Sequence, residues 1–189
     1  MKTLKILLIL GLYIFCFGCN SQAEQKIEQK DKFLEVRINR WTALEGGEIF
    51  VLRKINKDWS ATLLGDGDRF SCYYQKAVQP KSGWENFWNS IQKEGLLEIS
   101  DGQRDFCSGC TDGSGFIVEI FYQDKLKRYS LRIPEASKTK ESKQILNIGD
   151  LISQEFDTPV FVSDYDRGKV GEYLIETCKD LRESNKNSK

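Results

Sequence analysis

Residues 82–94, SGWENFWNSIQKE, predict a short amphipathic helix between two blocks of strand-like sequence. Ser82 with Glu85 three residues later is typical of an N-terminal capping box, and Gly95 is suited to the position just after a helix. The apolar face of this helix is large and must be buried, so the segment predicts a helix packed on a sheet. The apolar stripe at positions i, i+3, i+4 and i+7 consists of Trp84, Phe87, Trp88 and Ile91.

Strand-like segments flank this helix on both sides. Short connections rich in Gly, Asn and Asp predict that they pair as an antiparallel meander followed by a hairpin. In the second strand, Ile49, Val51 and Ile55 are the candidate core positions. Residues 159–162 are also expected to be extended. The predicted strands are residues 33–41, 48–57, 59–64, 69–78, 115–123 and 125–133.

Two further helices are expected, at residues 136–156 and at residues 170–182, the latter capped by Asp166. Gly149 weakens the first of them by about 1 kcal/mol relative to alanine. The predicted fold class is α+β: an antiparallel sheet of about six strands, a four-stranded meander plus a hairpin, with three helices on one face. Residues 33–182 are expected to form a single domain, followed by a disordered polar tail at 183–189.

The charge balance argues against a nucleic-acid partner. The chain has 28 basic and 28 acidic residues, and loss of Lys2 and Lys5 with an N-terminal leader leaves 26 basic against 28 acidic. A near-neutral chain lacks the electrostatic footprint of nucleic-acid binding. The chain contains no histidine, so imidazole bases and histidine metal ligands are excluded.

The N-terminus has the pattern of a secretory leader. Lys2 and Lys5 precede a 12-residue apolar run at residues 6–17. This run is too short to cross a bilayer as a helix and is typical of the apolar region of a signal peptide. Residues 1–18 are therefore predicted to be a signal peptide.

At the end of that run, Gly18 directly precedes Cys19, an arrangement that resembles the lipobox of bacterial lipoproteins. The resemblance implies cleavage before Cys19, which then carries thioether-linked lipid and an acylated amine, with palmitate as the expected fatty acid. Cys16 and Phe17 depart from the usual pattern, which has leucine and a small residue there.

Two alternatives to lipidation remain open. Ordinary signal-peptidase cleavage after Ala23, at a small-x-small site, would discard Cys19 and release the chain from the membrane. Alternatively, the apolar segment could stay as an uncleaved anchor.

With lipidation, residues 19–32 are a lipidated cysteine and a flexible polar tether. Several acyl chains on one cysteine hold a protein stably at a membrane, whereas one chain alone is marginal. The expected partners are the membrane, through lipid on Cys19, and an unknown envelope protein or ligand. The expected location is the extracytoplasmic side of a bacterial envelope membrane.

A second resemblance covers about half of the chain. Its motif joins the Trp-x-x-Phe-x-x-x-Ile helix with Gly-Leu after it, a loop that ends in Asp112-Gly113, Phe-Ile-Val-Glu-Ile at 116–120 and Tyr-Ser-Leu at 129–131. These segments resemble a family of uncharacterised bacterial envelope proteins. The resemblance supports the α+β fold and implies no particular activity.

Four cysteines remain in the predicted domain: Cys72, Cys107, Cys110 and Cys178. An even number in an exported protein predicts two disulfides. All three pairings are open, and a local Cys107–Cys110 clamp is favoured. Cys72 and Cys178 would then be either paired or buried as free thiols, since their strand and helix can meet across the core.

Cys107-Ser-Gly-Cys110 also suggests a thiol-redox site, the alternative function. A reactive CxxC thiolate is usually activated at a helix N-terminus, whereas turn sequence follows this motif. A four-cysteine zinc site would need a second close pair. No metal or cofactor is therefore predicted.

Aspartates crowd into the predicted loops, where turn and capping roles are favoured over calcium binding. The stretch Asp164-x-Asp166-x-Gly168 begins like a calcium loop but lacks the glutamate at the twelfth position. The loop aspartates are Asp66, Asp68, Asp101, Asp105, Asp112, Asp164 and Asp166.

A group of aromatic residues could line a binding face, although core packing is favoured for them: Trp41, Trp59, Tyr73 and Tyr74. The sequence as a whole predicts a lipid-anchored, non-enzymatic binding or interaction module. The alternative is a thiol-redox or other envelope enzyme that uses Cys107 and Cys110. Recognition is expected in the loops, above all the cysteine loop downstream of Gly95.

Overall fold

The computed structural model describes residues 33–42, 46–67, 72–102, 104–105, 114–132, 139–163 and 166–187. These residues form one sheet with helices packed on it. The strands are β1 (Phe33–Thr42), β2 (Gly46–Ile55), β3 (Asp58–Gly67), β4 (Cys72–Val78), β5 (Arg104–Asp105), β6 (Ser114–Tyr122) and β7 (Lys125–Arg132). The helices are α1 (Trp84–Lys93), α2 (Lys140–Phe156) and α3 (Arg167–Asn187), with a 3₁₀ turn at Leu96–Glu98.

The sheet has the strand order β4-β3-β2-β1-β6-β7-β5. The first four strands form an antiparallel meander, and the β6–β7 hairpin joins it because β6 pairs with β1. The two-residue β5 adds a parallel pairing with β7. The predicted α+β fold, with six antiparallel strands and three helices, is confirmed.

The core lies between the helices and one face of the sheet. Every second residue of β1 and β6 points into it, as the two-residue period of a strand requires. Three aromatic rings, of Phe50, Phe87 and Phe156, join β2 to α1 and α2, with centroids 4.9 to 5.9 Å apart. The buried apolar side chains of the two central strands are Leu34, Val36, Ile38, Phe116, Val118 and Ile120.

Of the three predicted core positions of the second strand, only Val51 is buried. Phe50 and Leu52 are 0 % exposed, whereas Ile55 is 47 % exposed and Ile49 is half-buried. Val51 is buried as well, on the opposite face. The stretch is apolar at successive positions, so its own pattern does not select a face; the pairing with β1 does.

The helix at 82–94 is present, but its predicted capping box is wrong. The N-cap residue is Gly83, with a φ of 84° and no side-chain hydrogen bond. Ser82 instead donates its backbone N–H to Glu155, and Glu85 accepts from the indole N–H of Trp59. Gly95 does end the helix, with a φ of 83°.

The tryptophans of α1 pack against the sheet, as the helical period predicts. Trp59 of β3 lies 6.3 Å from Trp84 in a stacked arrangement and 5.4 Å from Trp88, measured between ring centroids. The ammonium group of Lys54 lies 4.3 Å from the Trp59 ring. The tryptophans of the stripe therefore pack within the fold.

Several boundaries differ from prediction. Helix α2 begins at Lys140, where the hydroxyl of Thr139 caps it by accepting from the N–H of Ser142. Residues 159–162 form bends and not a strand. Helix α3 extends from Arg167 to Asn187, and it thus includes most of the segment expected as a tail. None of the described helices is long and apolar enough to cross a membrane.

Two glycines in helices provide a matched stability test. A Cβ atom at Gly149 of α2 would lie 2.3 Å from the carbonyl oxygen of Phe161, whereas one at Gly171 of α3 would meet nothing within 4 Å. We expect Gly149→Ala to destabilise the fold by about 1–3 kcal/mol, despite the higher helix propensity of alanine. Gly171→Ala should leave stability unchanged or raise it by up to about 1 kcal/mol. Urea unfolding measures both, and a stabilised Gly149→Ala variant would contradict the close packing of α2 on the Phe161 segment.

Candidate functional site

Two charged residues are completely buried on the core face of the sheet. Arg40 of β1 and Glu48 of β2 are each 0 % exposed, and they are directly opposite one another in the strand register. Arg40 is in phase with the apolar core residues of β1, and Glu48 with Phe50. The alternation of the strands therefore directs both charges into the core.

The carboxyl group of Glu48 accepts hydrogen bonds from three hydroxyl groups. Tyr74 donates to Oε1, and Tyr173 lies 3.4 Å from the same oxygen. Thr158 donates to Oε2 over 2.6 Å. The three donors belong to β4, to α3 and to the segment after α2, so this one carboxyl group joins three separate parts of the chain to β2.

A glycine makes room for one of these donors. The ring of Tyr74 packs over Gly65, its partner in the β3–β4 register. A Cβ atom at Gly65 would lie 1.9 Å from Cε1 of Tyr74. Any larger residue at position 65 would therefore displace the ring that reaches Glu48.

Burial dominates the protonation equilibria in this cluster. It raises the pKa of Glu48, and the hydrogen bonds from Thr158, Tyr74 and Tyr173 offset it only in part. Burial and the nearby Glu48 carboxylate also raise the pKa of Tyr74 and of Tyr173. Both tyrosines therefore remain protonated donors at neutral pH.

Arg40 lies beside this cluster and makes an aromatic contact of its own. Its guanidinium carbon lies 4.5 Å from the centroid of the Phe116 ring, a distance at which cation–π attraction operates. Arginine keeps its charge when buried. The core thus contains a guanidinium group on the strand that pairs with Glu48.

A cleft of about 320 Å³ is lined by residues of α2, of the segment after it and around the start of α3. Asp150 accepts from the backbone N–H and the hydroxyl of Ser163, over 2.7 and 2.8 Å. Asp166 accepts from the N–H of Gly168 and of Lys169, over 2.9 and 3.3 Å. Both carboxylates are therefore engaged by the fold. The lining residues are Asp150, Pro159, Val162, Ser163, Asp166 and Lys169.

Of the five predicted cysteine sites, two lie in the described part of the chain. Cys19, Cys107 and Cys110 lie outside the described residues. Cys72 is the first residue of β4. Cys178 lies on α3 and is 7 % exposed. Helix α3 packs against β4, so the predicted approach of these two elements is observed.

Of the aspartates predicted to lie in loops, Asp66 and Asp105 lie in the strands β3 and β5 instead. Asp101 accepts from the N–H of Arg128 over 2.9 Å, and Asp166 caps α3. Within the described part of the chain, no group of three or more Cys, Asp or Glu residues is placed to hold a metal ion. Asp68, Asp112 and Asp164 lie outside it.

The aromatic residues proposed as one binding face are divided between the two sides of the sheet. Tyr74 is 6 % exposed in the core, and the adjacent Tyr73 is 76 % exposed. Trp59 packs on α1, and Trp41 lies over Gly115, its partner in the β1–β6 register. They do not form a common surface.

The Glu48 cluster was missed at the level of sequence. The available signal was phase, since Arg40 follows Leu34, Val36 and Ile38 at two-residue steps. A charged residue in phase with an apolar strand face is a candidate for a buried, partnered charge. Its hydroxyl donors come from distant positions, and no local pattern links them to Glu48.

Comparison of the chain with protein-family models, with curated proteins and with solved structures finds no match.

The raised pKa of Glu48 predicts a pH-dependent effect on stability. An acid with a higher pKa in the folded chain makes the folded state bind more protons, so the free energy of unfolding falls as pH rises from about 4.5 toward the folded pKa. Glu48→Gln removes this dependence and keeps the size of the side chain and one acceptor oxygen, while its NH₂ group can donate to a hydroxyl oxygen. We expect this variant to be more stable than the parent at pH 8, with a difference that shrinks toward pH 4.5.

Glu35 is the matched control, because its pKa shift has the opposite sign. Burial raises the pKa of Glu35, but hydrogen bonds and charge from Arg53 and Arg37 outweigh this, and the net pKa is lowered. Glu35→Gln should therefore cost up to about 1 kcal/mol at neutral pH, and this cost should vanish as the pH falls below 4.5. Urea unfolding at several pH values measures both variants. The same pH dependence in both would contradict the account.

Proposed function

We propose that this chain is a lipid-anchored protein of the bacterial cell envelope that acts as a non-enzymatic binding or interaction module. The observation that carries the proposal is the position of Cys19, directly after Gly18 at the end of a 12-residue apolar run. That arrangement is typical of a lipidation site, and such a site holds the domain at the extracytoplasmic surface of a membrane.

The compact part of the chain is consistent with such an anchor. Residues Lys32–Lys189 form one compact unit, and the first strand begins at Phe33. The 13 residues between Cys19 and Phe33 are almost entirely polar or charged. A lipid on Cys19 therefore leaves the domain free to fold on its own at the membrane surface.

The chemistry of the described site supports an interaction role. The carboxyl group with the raised pKa, Glu48, is sealed in the core and bonded to three hydroxyl groups. In the cleft, Asp150 and Asp166 accept from backbone N–H groups. These acids hold elements together, which is the role of a structural network.

The alternative proposal is a thiol-redox enzyme that uses Cys107 and Cys110. The described residues on either side of these cysteines belong to the strands β5 and β6. Neither flank supplies the helix N-terminus that would lower the pKa of a reactive thiol. This favours a structural bond between Cys107 and Cys110.

We further propose a second disulfide, between Cys72 and Cys178. Two observations support it: α3 packs on β4, and Cys178 is buried. Such a bond closes a loop of more than 100 residues. In the chain-entropy view, closing a loop of that length stabilises the folded state by about 4–5 kcal/mol, because it restricts the unfolded chain.

The anchor is tested by fatty-acid labelling of the full chain in a bacterial host. We expect the parent to incorporate palmitate and to remain with the membrane fraction. Cys19→Ala should lose the label, because it removes the acceptor sulfur. Cys16→Ala is the control, since Cys16 lies within the leader and should not matter. Retention of label by Cys19→Ala, or an unlabelled parent chain that begins at Glu24, would contradict the proposal.

The role of the cysteines is tested by mass labelling of thiols in the exported domain. We expect no labelling of Cys72, Cys107, Cys110 or Cys178 before reduction, and labelling of all four after reduction in denaturant. Cys107→Ala/Cys110→Ala should abolish two of these additions and leave the protection of Cys178 unchanged. Rapid reaction of one thiol of the Cys107/Cys110 pair near neutral pH would favour the redox enzyme.

A further inference from the structure

Two hairpin tips lie at the same end of the sheet. Phe33, the first residue of β1, is opposite Ile55 of β2, and Leu34 is opposite Tyr122 of β6. The β2–β3 tip (residues 53–58) and the β6–β7 tip (residues 122–128) therefore flank the start of β1. We refer to these two tips together as the hairpin end.

The geometry places the two tips close together. The strands run in the order β3-β2-β1-β6-β7, so the centres of the hairpins are three strand spacings apart, about 14 Å. Each turn is tight and has a residue in the left-handed region: Asn56 with a φ of 58° in one, Gln123 and Asp124 with φ of 51° and 60° in the other. The chain toward Cys19 leaves between them, at Phe33.

The hairpin end is unusually apolar for an exposed surface. Among the described residues, four large apolar side chains are exposed, and three of them are here: Ile55 at 47 %, Tyr122 at 43 % and Leu126 at 59 %. The fourth, Tyr73, lies on the edge strand β4. Three exposed apolar side chains at one end of the sheet make this end a candidate surface for a partner.

The same end is basic. Each tip has three basic residues against one acid. Among the basic groups, Arg53 pairs with Glu35, Lys54 with Glu85 and Arg128 with Glu119. The exposed Lys57 and Lys125 lie at the turns themselves. The charged residues of the tips are Arg53, Lys54, Lys57 and Asp58 in one, and Asp124, Lys125, Lys127 and Arg128 in the other.

We propose that the hairpin end is a membrane-contacting surface whose partner is a bilayer that contains anionic phospholipid. Lys57 and Lys125 contact the lipid phosphates, because lysines near an anionic bilayer surface are attracted to it. Ile55, Tyr122 and Leu126 enter the interface between headgroups and acyl chains, where amphipathic and apolar side chains are stable.

The position of the chain terminus supports this partner. A segment of 13 residues, from 20 to 32, spans at most about 45 Å. A lipid on Cys19 would therefore hold the hairpin end within reach of the bilayer that anchors it. The inference extends the proposed membrane location, but its test uses the chain without a lipid, so that failure of one proposal can be told from failure of the other.

The test uses residues 24–189, which contain the compact unit Lys32–Lys189 and the core cluster of the described residues. Co-sedimentation measures the partition coefficient on vesicles of phosphatidylglycerol and phosphatidylethanolamine, with phosphatidylcholine vesicles as reference, at about 0.1 M salt. The parent chain should bind the anionic vesicles and not the reference. Binding no stronger than to phosphatidylcholine would overturn the proposal, even if Cys19 is lipidated in cells.

Paired variants distinguish binding through the hairpin end from a general electrostatic attraction of the chain to anionic vesicles. One lysine near an anionic surface contributes about fivefold in affinity, so Lys57→Gln/Lys125→Gln should bind about 25-fold more weakly. Ile55→Ser/Leu126→Ser should also weaken binding, by about fivefold or more. Lys169→Gln/Lys179→Gln, which makes the same charge change on α3, should leave the partition coefficient nearly unchanged.

Two results would contradict the assignment. Equal losses from the lysine pair at the tips and the lysine pair on α3 would mean that binding is not localised at the hairpin end. A dimer of the parent chain in sedimentation velocity, converted to monomer by Ile55→Ser/Leu126→Ser, would assign the apolar tips to a second copy of the chain.

Discussion

A carboxyl group placed in an apolar core must be hydrogen-bonded, and at Glu48 this requirement organises one half of the molecule. A buried carboxylate without partners costs far more than any single contact contributes. Its donors are Tyr74, Thr158 and Tyr173. Strand β4, the segment after α2 and helix α3 must therefore all be in place before the cluster is satisfied. The network makes the position of each depend on the others.

The central strand β1 runs between two ends of the sheet that differ in chemistry. Arg40, beside the Glu48 cluster, lies seven residues after Phe33, about 23 Å along the strand. At the Arg40 end, charges are buried and acids of the neighbouring cleft are engaged by backbone groups. At the Phe33 end, apolar and basic side chains are exposed. The chain toward the proposed anchor leaves from this second end.

Local signals explain which parts of the fold could be predicted. The stripe of α1 and the stop at Gly95 are properties of neighbouring residues, and both are confirmed. Ser82 was a plausible cap by the same logic, but its N–H bonds to Glu155, which is distant in sequence. Gly149 was expected only to weaken a helix, whereas the approach of the Phe161 carbonyl group requires it.

Tertiary pairing explains what could not be predicted. The stretch that contains Ile49, Phe50, Val51 and Leu52 is apolar on both faces, and only its register with β1 places Phe50 and Leu52 in the core. The same register makes Glu48 a core residue. Its donors then come from positions up to 125 residues away, a relation that no motif encodes.

The proposed arrangement is a domain anchored through Cys19 whose hairpin end faces the bilayer. Hydrogen–deuterium exchange of the lipidated chain, reconstituted in anionic vesicles and compared with the same chain in phosphatidylcholine vesicles, tests it most directly. The account predicts slower exchange in residues 53–58 and 122–128 on the anionic vesicles, with α3 unchanged. Protection confined to α3, or no difference at either tip, would contradict it.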